Sequence, residues 1–261
     1  MRIALGVEYN GSQFYGWQRQ SVADTVQQQL EKAISIVADK PITVYVAGRT
    51  DTAVHATEQI VHFDCDNPRE LKAWVMGANS NLPNSISVLW AKYVEDEFHA
   101  RFSAQSRYYR YIIFNNAVRP ALLDKLVTWE YAALDVQKMQ YAAQHLLGTH
   151  DFTSYRAVAC QASSPMRTIE ELTLSRQNEF VLMDIRANGF LHHMVRNIMG
   201  VLITIGRGEQ AEDWSREVLQ KCDRTLGGKT APAAGLYLVK VQYDEKFGLD
   251  TKIRWPAIVG Q

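Results

Sequence analysis

Cysteine is scarce in this chain. Its three copies, Cys65, Cys160 and Cys222, lie far apart and form no C-x-x-C pair. That excludes a disulfide framework or a zinc ribbon and leaves ordinary buried or half-buried thiols. No run of 18 or more apolar residues appears, so no membrane-spanning helix is expected. The N-terminus opens directly on a strand pattern, without a charged segment followed by an apolar one, and a cytoplasmic location is the default expectation. The sequence has no P-loop, no dinucleotide fingerprint and no metal-ligand cluster. An excess of one charge is missing too: 28 basic residues face 28 acidic ones. A nucleic-acid partner would therefore require a local basic face rather than a basic chain. What is present is average: 261 residues, 47% hydrophobic and 21% charged, enough for one large domain or two ordinary ones.

Periodicity divides the chain. Arg2 to Tyr9 alternates as a strand, and Asn10 to Gln20 is a loop with several aromatics. Asp24 to Ala38 has helical spacing, with Asp24 and Gln27 arranged as a capping box. Strands are expected over Ile42 to Val46, Gln59 to Asp64 and Ile86 to Tyr93, with a helix opened by Pro68 before the last of them. The resulting strand-helix-strand, strand-helix-strand order predicts an α+β fold: a ferredoxin-like (RRM-like) subdomain with an antiparallel sheet flanked by helices. After a charged connector, a second subdomain of loosely similar logic follows. It comprises a strand at Arg107 to Asn115, a helix at Asp135 to Leu147, a polar loop at Thr149 to Arg156, and a hairpin over Glu170 to Arg176 and Glu179 to Ala187. A long helix at Phe190 to Ile205, a shorter one at Asp213 to Lys221 and a strand at Leu236 to Tyr243 complete it. The domains are drawn at 1–104 and 105–261.

The residues that could carry chemistry gather in Ala47-Gly48-Arg49-Thr50-Asp51-Thr52-Ala53-Val54-His55-Ala56, a short connection between two strands. A carboxylate two residues from a guanidinium could act as a nucleophile or base, or form an exposed turn with a weak ion pair. Gly48-Arg49-Thr50-Asp51 with Val54-His55-Ala56 resembles the signature loop of the tRNA pseudouridine synthase A family, and further matching segments follow in order across nearly the whole chain. The resemblance implies that Asp51 is the catalytic nucleophile in isomerising uridine to pseudouridine at positions 38, 39 and 40 of the tRNA anticodon stem-loop. It also implies a homodimer gripping one tRNA, with no cofactor and no metal. Phe190 to Ile198 matches the segment that supplies an arginine, here Arg196, to the site, and Tyr109 in Arg107-Tyr108-Tyr109-Arg110-Tyr111 matches the active-site tyrosine. If Arg196 pairs with Asp51, the active-site cleft lies between the two subdomains.

Arg49 suits a wedge or phosphate contact that holds an unstacked stem open. Phe14-Tyr15-Gly16-Trp17-Gln18 also matches a family segment, read equally as RNA contact or as aromatics folding the loop onto the core. His55 reads as a loop brace, Asp151 as a cap, and Arg101, Arg107, Arg110, Lys229 and Arg207 as candidate phosphate contacts. The family loop usually reads Ala-Gly after the Asp, where this chain has Thr52-Ala53. If that position takes positive φ, alanine carries roughly 1–2 kcal/mol of strain there. Two rival readings remain: a catalytically silent tRNA-binding protein, and, from the Asp51-Thr52-Ala53 triplet, an aspartic protease lacking its second carboxylate.

Overall fold

The computed structural model describes residues 1–67, 69–158, 160, 162–249 and 252–259. In chain order its elements are β1 (Arg2–Tyr9), α1 (Val26–Ala38), β2 (Tyr45–Val46), β3 (His55–Asp64), α2 (Leu71–Asn81), β4 (Ile86–Val94), β5 (Ala104–Asn115), β6 (Thr128–Glu130) and α3 (Val136–Gln144). They continue with β7 (Gly148–Asp151), β8 (Met166–Gln177), β9 (Phe180–Ala187), α4 (Met194–Gly206), α5 (Trp214–Lys221) and β10 (Leu236–Tyr243). The chain forms two compact units. One is Met1–Gln105 together with Tyr237–Gln261, and the other is Ser106–Leu236.

The first unit has the β-α-β-β-α-β order of a ferredoxin-like fold. Its strands run β4-β1-β3, with both β2 and β10 also paired to β3. β1 is antiparallel to β3 and to β4. Ile3, Leu5 and Val7 of β1 are fully buried, as are Leu30 and Ile34 of α1 and Phe63 and Trp74, whose rings meet at 5.1 Å. Each such side chain contributes about 1.5–3 kcal/mol by leaving water.

Two expectations change here. The strand expected over Ile42 to Val46 shrinks to Tyr45–Val46, because α1 claims the backbone in front of it: Ile42 N–H donates to Ser35 Oγ at 2.8 Å and Val44 N–H to Glu31 Oε1 at 3.0 Å. The alternation of buried Ile42 and Val44 is real, but their amides are not available for a ladder. The cap of α1 is Thr25 rather than Asp24. Its hydroxyl accepts from the Gln28 amide and donates to the Gln28 side chain at 2.7 Å. The opening of α2 by Pro68 falls outside the described residues; α2 begins at Leu71 with Glu70 at its cap.

The second unit orders its strands β5-β9-β8-β7, all antiparallel, with β6 parallel to the far end of β5. Asp135 caps α3 by accepting from the Gln137 and Lys138 amides. α4 is apolar on nearly every side, and Met194, Ile198, Leu202 and Ile205 are fully buried. The segment read as a polar loop contains a strand, β7, because Thr149 and His150 pair with Thr168 and Arg167 at the edge of the sheet.

A single cut at 104/105 does not describe these units. After Leu236 the chain returns to the first unit, where β10 lies parallel to β3, with Tyr237 opposite His55 and Leu238 opposite Ala56. The sheets are therefore mixed rather than purely antiparallel, since a returning segment enters beside β3 in the direction it happens to run.

Candidate active site and family membership

The Asp51 loop is held from three sides within the first unit. From β1, the Tyr9 hydroxyl shares a 2.8 Å hydrogen bond with Thr50 Oγ1. From β3, Gln59 Nε2 donates to Gly48 O at 2.8 Å and to the Tyr9 hydroxyl at 3.3 Å. From the loop after β1, the Trp17 amide donates to Thr50 O at 3.0 Å, and the Ala53 amide to Phe14 O at 3.3 Å. Burial pushes the Tyr9 phenol up to about 12 against these two hydrogen bonds, so it stays protonated as a fixed post.

Two glycines permit this close approach. A Cβ on Gly16, whose φ is +86°, would sit 2.8 Å from Thr50 O, and one on Gly11 would sit 1.9 Å from Val54 O. Gly11 N–H donates to His55 Nδ1 at 3.0 Å, while the His55 ring stacks on Tyr237 at 4.6 Å. His55 is thus a brace. Phe14 and Trp17 are buried and Tyr15 is exposed, so the aromatic loop folds mainly onto the core.

Asp51 itself starts a tight turn that Val54 N–H closes by donating to Asp51 O at 3.2 Å. Ala53 takes φ +63°, while Thr52 stays at negative φ. Positive φ at the third position alone is the type II pattern, which favours glycine there. Asp51 is half-buried and Arg49 exposed.

In the second unit, Tyr109 is buried to 8% exposure, with its ring edge-on to Phe190 at 5.1 Å. Its neighbours on β5 have structural partners. Tyr111 reaches Thr128 Oγ1 at 2.6 Å and donates to Pro232 O at 2.7 Å, and Arg110 grips Asp184 through two 2.7 Å bonds. α4 begins only at Met194, after His193 at φ +62°. His192 and His193 therefore precede the helix instead of lying on it. Arg196 falls in the first turn. Its Nε donates to Ala231 O at 2.9 Å and its carbonyl accepts from Ala231 N–H at 3.1 Å. A cation near a helix N-terminus works against the helix dipole, at a cost of about 0.3–1 kcal/mol.

Residues 6–103 and 142–244 match the sequence profile of a family described as tRNA pseudouridine synthase. A tRNA pseudouridine synthase A of Photobacterium profundum is 56% identical over 259 residues, 99% of each chain. Proteins of the same name from Legionella pneumophila (strain Lens) and Vibrio vulnificus (strain YJ016) are 55% and 56% identical over 95% of this chain, and over 95% and 94% of their own. The chain belongs to the tRNA pseudouridine synthase A family. Among solved structures, a Cbf5-Nop10-Gar1 complex aligns over 90% of this chain and 48% of its own at 9% identity and TM-score 0.37, too distant to carry an argument.

Family membership sets aside the protease reading of Asp51-Thr52-Ala53. Of the arginines read as phosphate contacts, Arg110 is paired with Asp184, and Arg207 with Glu130 and Glu209. Arg101 and Lys229 are exposed, and Arg107 donates to Asn188 O at 3.1 Å. Asp151 caps a turn by accepting from Thr153 N–H at 2.8 Å. The supports of this pseudouridine synthase loop, Tyr9, Gln59, Gly11 and Gly16, were not legible as such. Gln59 stands among other polar residues of β3, Thr57, Glu58 and His62, so nothing in the sequence singled it out.

Proposed function

We propose that this chain isomerises uridine to pseudouridine in tRNA, at positions 38, 39 and 40 of the anticodon stem-loop, with Asp51 as nucleophile. The observation that carries this reading is the full-length match to proteins named for that activity, with Gly48-Arg49-Thr50-Asp51 and Val54-His55-Ala56 of the signature loop present on either side of the Thr52-Ala53 departure. In the reaction the N1–C1′ bond breaks and a C5–C1′ bond forms. The proton on C5 leaves and one is taken up at N1. Substrate and product are isomers, so the chemistry balances without a redox partner or nucleotide triphosphate. Asp51 supplies a carboxylate to the reacting sugar or base. Tyr109 offers a π-face to uracil, Arg196 a cation for an anionic group, and Arg49 an exposed guanidinium suited to holding an unstacked stem open. The same reading gives a homodimer gripping tRNA across both subunits and a cytoplasmic location. Among the described residues no helix is long and apolar enough to cross a membrane.

The test uses unmodified tRNA transcript carrying tritium at uridine C5, without added metal or cofactor. Wild type should release tritium, and Asp51→Asn should bind the transcript without release. The silent-binder reading gains one specific support, the positive φ of Ala53. Binding by wild type without any release, restored by Ala53→Gly, would favour it.

A further inference from the structure

The first unit carries an aromatic and cationic surface well away from the Asp51 loop. His62 lies seven residues along β3 from His55, roughly 23 Å of strand. There Tyr45 stacks on His62 at 5.0 Å and meets His99 at 5.6 Å, and His99 meets Phe102 at 4.4 Å. Tyr45 is 51% and Phe102 76% exposed. The Arg101 guanidinium lies 5.5 Å from the centre of the Phe102 ring.

The turn that carries this surface is held by hydrogen bonds. His99 Nδ1 accepts from the Arg101 and Phe102 amides at 3.1 and 3.3 Å. His99 N–H donates to Ser103 Oγ, and Ser103 N–H to His99 O, both at 2.9 Å. Below, Ala100 N–H donates to the buried His62 Nδ1 at 3.1 Å. Phe102 therefore stands exposed on a turn whose amides are engaged. Nearby acids are compensated: Asp64 by Arg2 through bonds of 2.9 and 2.8 Å, and Glu97 by Lys246 at 2.8 Å. Glu95 and Asp96 lie on the same connector, so the positive charge offered to a ligand here is that of Arg101 beside the Phe102 ring. After burial, Arg2 and Arg101 are what hold His99 below the usual histidine range.

Preordered aromatic faces beside a cation take bases by stacking and their phosphates by charge. We propose that Tyr45, His99, Arg101 and Phe102 form a second RNA-binding surface, taking an unpaired base of the tRNA on Phe102 and Tyr45 and its phosphate on Arg101. This rests on the tRNA reading above. A ligand that reaches both this surface and the Asp51 loop must span more than 20 Å or so, which a polynucleotide does and a nucleotide does not.

The experiment measures tRNA Kd against salt, and tritium release, for wild type, Arg101→Ala, Phe102→Ala, Phe102→Leu and Phe102→Tyr. Phe102→Ala should weaken binding about tenfold with its salt slope unchanged. Phe102→Tyr should restore binding and Phe102→Leu should not, because only the former keeps a π-face. Arg101→Ala should lower the salt slope by about 0.7–0.9, one phosphate contact. The losses should appear in KM rather than kcat. Urea midpoints guard against misfolding, and Phe102→Tyr and Phe102→Leu stay informative if Phe102→Ala is unstable. If wild type binds and modifies tRNA while every variant binds as it does, this surface is refuted and the isomerase reading stands. If Phe102→Ala alters sedimentation and leaves tRNA affinity intact, the surface joins two copies of the chain, and the proposal is likewise refuted. If wild type neither binds nor modifies tRNA, the underlying reading fails first.

Discussion

Replacing Ala53 by glycine should stabilise the protein. Ala53 holds φ +63° at the third position of the Asp51–Val54 turn. An L-residue there loses about 1–2 kcal/mol to contact between its Cβ and the adjoining carbonyl. Glycine removes that contact, but its freer unfolded chain takes back about 0.5–1 kcal/mol. The net gain for Ala53→Gly is therefore about 0.5–1 kcal/mol, or about 1–4 °C in Tm for a chain of this size. Equilibrium urea unfolding measures it: the midpoint should rise with the slope unchanged. Ala53→Val is the counterpart. A β-branched side chain at positive φ is an outlier, and this variant should lose about 1 kcal/mol or more relative to wild type. Tritium release by Ala53→Gly should be at least that of wild type, because the hydrogen bonds of the loop are untouched. If Ala53→Gly is less stable than wild type, or Ala53→Val is tolerated, the strain argument is wrong.

Other outcomes follow from the same geometry. Gly11→Ala places a Cβ against Val54 O and should cost about 2–3 kcal/mol, read as a lowered urea midpoint, with loss of tritium release. Arg196→Lys should retain part of the tritium release and Arg196→Ala almost none; a folded and fully active Arg196→Ala would remove this residue from the site. Arg110→Ala should cost about 2 kcal/mol of stability by stranding Asp184, yet leave the salt slope of tRNA binding unchanged. Burial, with His99 and Arg2 alongside, pushes His62 down to about 4. The unfolded chain therefore takes up the proton first as pH falls. The stability held above pH 6.5 drains away toward pH 4, by about 3 kcal/mol in all. His62→Gln should flatten that part of the pH–stability curve, and an unchanged slope would refute the assignment.

The parts of the fold that could be read directly were those where one periodicity dominates. α1 and the α4 core show helical spacing, and β1 shows strict alternation. Misreadings arose where a side chain competes for the backbone. Ile42 to Val44 alternates like a strand, but Ser35 and Glu31 take its amides. Phe190 to His193 continues the apolar pattern of α4, yet His193 adopts a left-handed backbone and delays the helix. β10 was legible as a strand, but nothing local shows that it returns to the first unit, because partner choice is set by tertiary packing. Asp51 was legible only because a long motif surrounds it. Arg110 looked like a phosphate ligand because the sequence does not show that Asp184 faces it across the β5–β9 ladder.

The return of β10 bears on the order in which the chain matures on the ribosome. Residues 106–236 are contiguous and can collapse as soon as they emerge, as domains generally do during synthesis. The unit carrying Asp51 cannot be finished then. The ring that His55 leans on is Tyr237, and Thr57 donates to Leu238 O at 3.4 Å, a partner 181 positions downstream. For most of translation the Asp51 loop has its contacts with Tyr9, Phe14, Trp17 and Gln59 but lacks the β10 flank behind His55. The nascent chain thus completes the framework around Asp51 among the last of its structural steps.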